Sequence, residues 1–218
     1  MMGVRTATAN AFMFLELGVL PIEYEIHLKQ ISFVHHIMNL DEDDPVKKVW
    51  RNQATLPAHR NWWSDVQGLM ERYSIKLTEE EIVAMSKETF KKKIKKAVRE
   101  YAFENLKDEC QSKSRTKNLM YKGFETQNYI KTMSPRTAKT VFKCRSKTLN
   151  IKDHMKFSHN DTLCRWCGMS DETLDHVINC GEETKLLDTE EKLNLLNHKE
   201  IEKIAWRVDE FLSKVDIQ

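Results

Sequence analysis

Glycine and proline are scarce: six and four in 218 residues. That leaves too few turn formers for a sheet-rich fold with many tight hairpins. No apolar run approaches the ~20 residues of a membrane span. The N-terminal MMGVRTATANAFMFLELGVL is interrupted by Glu16 and followed by no small-residue cleavage site. It therefore reads as an amphipathic helix and not as a signal peptide. A Gly-rich phosphate loop, a G-x-S-x-G elbow and an H-E-x-x-H pair are all missing, which removes three common enzyme signatures. Only five cysteines are present, three of them within 17 residues. That clustering is a metal pattern more than a disulfide framework, and it implies a reducing, intracellular setting, nuclear and/or cytoplasmic.

What is abundant is charge. Charged residues make up 31% and apolar residues 40%, with a mean hydropathy of −0.60, a balance that suits exposed helices around a modest core. The net charge of +2 conceals an asymmetry. From Lys87 to Lys156 there are 20 Lys and Arg against 7 Asp and Glu, and the rest of the chain has 15 against 26. A basic block of that size attracts polyanions before contact.

The periodicity is helical almost throughout, so the fold class is mainly α. A first helix is expected to stop at Gly18, with Pro21 opening a long second one over IEYEIHLKQISFVHHIMNL. There Ile22, Ile26, Phe33, Ile37 and Leu40 share a stripe widened by Leu28, Ile31, Val34 and Met38, which predicts a central core helix. Asp44-Pro45, Asn61, the Thr78-to-Glu81 capping box, Ser86 and Ser134-Pro135 mark further helix starts. Phe90, Ile94, Val98 and Tyr101 form a narrow seam on the longest helix, and Val141, Phe142 and Cys144 face inward on a second basic one. Residues 111–133 are less periodic, extended near Leu119–Phe124 and then briefly helical. A short helix near Glu190–Leu196 and an amphipathic one near Lys199–Val215 close the chain. The organisation expected is an irregular helical domain over 1–133, a basic helix plus a cysteine-rich knuckle over 134–184, and a C-terminal helical segment over 185–218.

The most informative motif is C-x2-C-x8-H-x3-C: Cys164, Cys167, His176 and Cys180. The two-residue gap aims two thiolates at one point, and His176 and Cys180 project from one helix face. Three thiolates and an imidazole make a closed tetrahedral set with no position for a water nucleophile, the form of one structural Zn2+. The plain alternative is a few buried cysteines near an unrelated histidine. His154 and His159 lie just upstream, but Cys164 makes substitute ligands unnecessary.

Other clusters read as ordinary structure. Asp41-Glu42-Asp43-Asp44 point in different directions, so a solvated loop with an N-cap explains them better than a metal cluster. His35 and His36 diverge by about 100°, one toward the surface and one toward the core. Lys91, Lys92, Lys95, Lys96 and Arg99 on one helix, and Arg136, Lys139, Lys143, Arg145 and Lys147 on the next, would offer a phosphate-binding surface if the helices lie side by side. Arg165 and Trp166 between the first two ligands add a phosphate contact and a base-stacking ring. Against this, lysines on a helix are often only solvated, and Trp166 could pack on the metal site.

FLELGVLPIEYEIHLKQISFVHHI, a basic helix, and FKCRSKTLNIKDHMK leading into LCRWC and LDHVINC resemble the region downstream of the polymerase in non-long-terminal-repeat retrotransposon reverse transcriptases. The resemblance covers roughly Phe12 to Cys180. It implies Cys164, Cys167, His176 and Cys180 as zinc ligands, and a region that helps hold template RNA or target DNA. A paired-aspartate polymerase motif and a following endonuclease are both lacking, so no catalysis is expected from this chain alone. The expected partners are RNA and/or DNA and the polymerase of the same element, with no membrane. A zinc-stabilised protein-interaction scaffold is the alternative, and a catalytic zinc the weakest reading.

Overall fold

The computed structural model describes residues 9–56, 61–155, 161–181, 193 and 198–215. Among these residues the fold is mainly α, with no strand. The helices are α1 (Asn10–Leu17), α2 (Ile22–Met38), α3 (Pro45–Thr55), α4 (Trp62–Arg72), α5 (Glu79–Ala84), α6 (Lys87–Ser112), α7 (Asn128–Thr132), α8 (Pro135–Arg145), α9 (Leu174–Asn179) and α10 (His198–Val215). They divide into two compact units, Leu20–Asn105 and the pair Met1–Val19 with Leu106–Gln218. This division differs from boundaries at 133/134 and 184/185. The N-terminal helix belongs with the C-terminal half, and one boundary falls inside the uninterrupted α6. The helix expected near Glu190–Leu196 lies almost wholly outside the described residues, as does His159.

In the unit Leu20–Asn105, helix starts follow the caps. Asp44 Oδ1 accepts from Val46 N at 2.8 Å, Asn61 Oδ1 from Ser64 N at 2.9 Å, and Thr78 and Glu81 form the full capping box. α3, α4 and α5 pack on α2, burying Ile31, Val34, Ile37 and Met38 with Trp50, Trp63, Val66 and Ile82. His35 is the core histidine: its Nε2 lies 2.9 Å from the Met85 carbonyl, while His36 is exposed. The expected α2 stripe needs correction. Ile22, Ile26 and Phe33 are exposed, because nine apolar residues spread over more of the helix circumference than the neighbouring helices cover. On α6 the buried seam is Phe90, Ile94, Val98 and Ala102, with Tyr101 at its exposed edge.

In the other unit α10 packs on α8 and α9, and α7 on α8. Ile201, Ile204, Ala205, Val208, Phe211 and Val215 form the buried face of α10, at the three- and four-residue spacing of an amphipathic helix. α1 ends at Gly18, whose φ of 62° suits glycine. A Cβ there would lie 2.3 Å from the Thr126 nitrogen. That close approach lets Gln127 N donate to the Glu16 carbonyl at 2.9 Å.

Under α1 lies a buried ion pair between residues far apart in the sequence. Glu16 Oε1 accepts from Arg145 Nε at 3.0 Å, Arg145 Nη2 at 2.9 Å and the Tyr121 hydroxyl at 2.7 Å, and Oε2 accepts from Tyr129 at 2.5 Å. Arg145 also donates to the Leu193 carbonyl. Burial first, and then the Glu16 carboxylate, raise both phenols above their ordinary range, so they remain donors.

Candidate metal centre and basic residues

The knuckle is built by backbone geometry around its sulfurs. Cys164 N donates to the Ser170 carbonyl at 2.7 Å, and Gly168 N to the Cys164 carbonyl at 2.8 Å, closing the turn between the first two cysteines. Gly168 takes φ 66°, the left-handed value that reverses the chain there. Two amides then face sulfur: Trp166 N lies 3.4 Å from Cys164 Sγ, and Met169 N 3.5 Å from Cys167 Sγ. The second pair of donors rides on α9. Thr173 caps that helix, its Oγ1 accepting from His176 N at 3.1 Å. His176 thus sits in the first turn and Cys180 at the C-cap.

All four ligand atoms lie within 4.8 Å of one another. Cys164 Sγ and Cys180 Sγ are 3.9 Å apart, and Cys167 Sγ is 3.3 Å from His176 Nε2. A tetrahedron with metal–sulfur bonds of about 2.3 Å and metal–nitrogen bonds of about 2.0 Å has edges of roughly 3.8 and 3.5 Å. The set can therefore hold a metal ion at its centre. Its soft sulfur and imidazole donors do not suit calcium or magnesium, which take oxygen.

Electrostatics points the same way. The Met169 amide hydrogen bond lowers the Cys167 thiol below its usual value. Burial, followed by the neighbouring Cys164 sulfur, pushes the Cys180 thiol up to about 12. Three adjacent sulfurs cannot all ionise unless a cation joins them.

Behind the knuckle, Glu172 ties the loop down. Its side chain is fully buried and accepts from Arg165 Nη2 at 2.7 Å, Arg165 N at 2.9 Å and Lys152 N at 3.0 Å. Burial alone would raise this carboxyl, but the Arg165 hydrogen bonds hold it below the usual carboxylate range. His154 is equally occupied, its Nδ1 accepting from Leu149 N at 3.2 Å, and it is not among the four converging residues. A scan against protein-family models and searches of curated proteins and solved structures each find no match.

The basic residues separate into different roles. Lys91, Lys92, Lys95 and Lys96 are exposed on α6 and Arg99 is half-buried, all within Leu20–Asn105. Lys96 pairs only loosely with Glu100, at 3.8 Å. The remaining candidates belong to the other unit. Lys139 is exposed, and Lys143 and Lys147 are half-buried. Arg136 is exposed, but its Nε donates to Asp209 Oδ2 at 2.9 Å.

One assignment to a nucleic-acid surface is corrected. Arg145 is wholly buried against Glu16, because it lies on the inward face of α8 with Val141 and Phe142. Arg165 is engaged by Glu172 and by the Asn150 carbonyl at 2.5 Å. Trp166 packs its ring 6.0 Å from Phe211, with Lys214 Nζ 3.9 Å from the ring centroid, and keeps 39% exposure. Sequence reasoning missed the partners Glu16 and Glu172. For Glu16 a signal existed: one acid inside the otherwise apolar NAFMFLEL implies a buried cation opposite.

Proposed function

We propose that the chain is a zinc-containing nucleic-acid-binding module of a retroelement reverse transcriptase, without catalytic activity of its own. The observation that carries the reading is the closed Cys3His set, with four protein donors converging on one point. A fourth protein ligand occupies the position that a catalytic zinc leaves to water, so the ion folds the knuckle. The reading further rests on the order of motifs along the sequence and on the exposed lysines of α6. Those lysines bind phosphates as point charges, so affinity falls with salt and shows little sequence preference. RNA is bound as template, or DNA as target, beside the polymerase of the same element.

Fluorescence anisotropy with RNA and DNA oligonucleotides over a range of salt concentrations tests this. A log–log salt slope near −0.7 per phosphate contact on single strands is expected, and absent or salt-independent binding overturns it. The exposed Ile22, Ile26 and Phe33 favour a second reading, a scaffold that docks a protein through α2. Reversing Lys92, Lys95 and Lys96 to Glu separates the two, because it abolishes nucleic-acid binding and leaves a docked protein in place.

A further inference from the structure

We propose that the groove at the C-terminal end of α6 binds a single phosphate group. The groove has a volume of about 570 Å³ and is lined by the 112–116 segment, Ser146 and Ala9. Among the described residues no carboxylate lines it. From Gln111 to Phe124 the sequence has four cations, Lys113, Arg115, Lys117 and Lys122, and no acid. These residues lie outside both basic helices discussed above, and two of them, Lys113 and Arg115, line the groove because the chain turns tightly as α6 ends. Thr116 N and Lys117 N both donate to the Lys113 carbonyl, at 3.1 and 2.9 Å.

Among the hydroxyls that line the groove, those of Ser112, Thr116 and Ser146 already have partners. Ser112 Oγ donates to the Glu109 carbonyl at 2.7 Å and Thr116 Oγ1 to the Cys110 carbonyl at 2.8 Å. Ser146 Oγ lies 2.7 Å from Thr148 Oγ1. Those hydroxyls are committed and shape the wall. Arg115 is half-buried, and its Nη2 donates to the His154 carbonyl at 3.4 Å. That bond fixes the guanidinium by one nitrogen and leaves its other N–H groups for an anion. Lys113 is exposed and has no carboxylate partner among the described residues. The tethered Arg115 guanidinium, with the exposed Lys113 ammonium and the Ser114 hydroxyl beside it in the groove, matches one phosphate in charge and donors.

The phosphate can come from a nucleic-acid backbone or from a free anion. The backbone source rests on the function proposed above, and the site itself does not. Amide NMR spectra of the full chain, titrated with inorganic phosphate and separately with a single-stranded oligonucleotide, distinguish the sources. Chloride at matched ionic strength is the control. Saturable shifts at residues 112–116 and 146 are expected in both arms, confined to them with inorganic phosphate and joined by shifts along α6 with the oligonucleotide. Lys113→Gln/Arg115→Gln is expected to abolish them and to flatten the salt slope of oligonucleotide binding by about 0.7, one contact. Shifts with inorganic phosphate alone support the site and assign it to a free anion. Oligonucleotide binding with no shift here in either arm overturns the site and leaves the nucleic-acid function standing. Silence in both arms, with no oligonucleotide bound, overturns both.

Discussion

Two polar centres in the same unit balance their charge in opposite ways. Glu16 and Arg145 are both fully buried and neutralise each other, with Tyr121 and Tyr129 taking the remaining carboxylate lone pairs. Everything that centre needs comes from the chain itself. The knuckle brings together three sulfurs and an imidazole, and among the described residues no cation of the chain enters their midst. One centre is complete once the helices dock, and the other can take up a metal ion at its middle. An ion bound there is expected to be linked to folding in residues 161–181 and not across most of the chain.

The largest effect that tests this contrast is Cys164→Ser. Structural zinc supplies on the order of 10 kcal/mol of apparent folding free energy in small zinc modules. The expected result is a fall from one metal ion per chain to none by elemental analysis. Hydrogen-exchange protection should be lost over 161–181 and kept over α2. Equal loss in both places would mean that the knuckle is not a separable folding element.

Arg145→Met tests the opposite side. It strands the buried Glu16 carboxylate and should cost about 3–5 kcal/mol in chemical denaturation, with metal content unchanged. Adding Glu16→Gln removes the stranded charge while keeping an acceptor for the two tyrosines, and should recover much of the loss. A double variant no more stable than Arg145→Met would show that the pair matters through shape and not through charge.

Glu172→Gln sharpens the comparison, because Glu172 belongs to the knuckle but is paired by the chain. The change leaves Arg165 without its carboxylate and should cost about 1–3 kcal/mol at neutral pH. The sign of the pH dependence follows from the lowered carboxyl. A group with a depressed folded value contributes fully above its ordinary range, about 4.3 for Glu, and loses that contribution as pH falls through the folded value. Wild-type stability should therefore drop below about pH 4 more steeply than that of the variant, and parallel curves would remove Glu172 from the account.

The sequence makes local chemistry legible and long-range pairing opaque. Asp44, Asn61, Thr78 and Ser134 are readable as caps because each bonds an amide two or three residues away. The four metal ligands are readable for the same reason, since their spacing is their geometry. Arg145 is not, because its partner lies 129 residues upstream and a basic helix looks alike whether a given cation faces water or a carboxylate. The Arg165–Glu172 pairing is not legible either, although the two are only seven residues apart, because nothing local says which way a loop side chain turns. The unit boundary between Asn105 and Leu106 is invisible because no glycine or proline interrupts α6.

The smallest expected effect concerns how finely α9 must aim its ligands. Thr173 Oγ1 accepts from His176 N, so one hydroxyl both caps a six-residue helix and fixes the backbone of a metal ligand. Loss of a cap costs about 1 kcal/mol. If capping is its whole role, Thr173→Ala should lower stability by that amount with the metal bound and leave metal affinity unchanged. If the hydroxyl also orients His176, competition with a chelator should show affinity falling roughly five-fold, the equivalent of about 1 kcal/mol. We expect the second result, because the cap hydroxyl bonds directly to the amide of His176 itself. The contrast with the Glu16 centre then extends from charge to position: one site is held by partners more than a hundred residues apart, and the other by short-range hydrogen bonds of its own loop and helix.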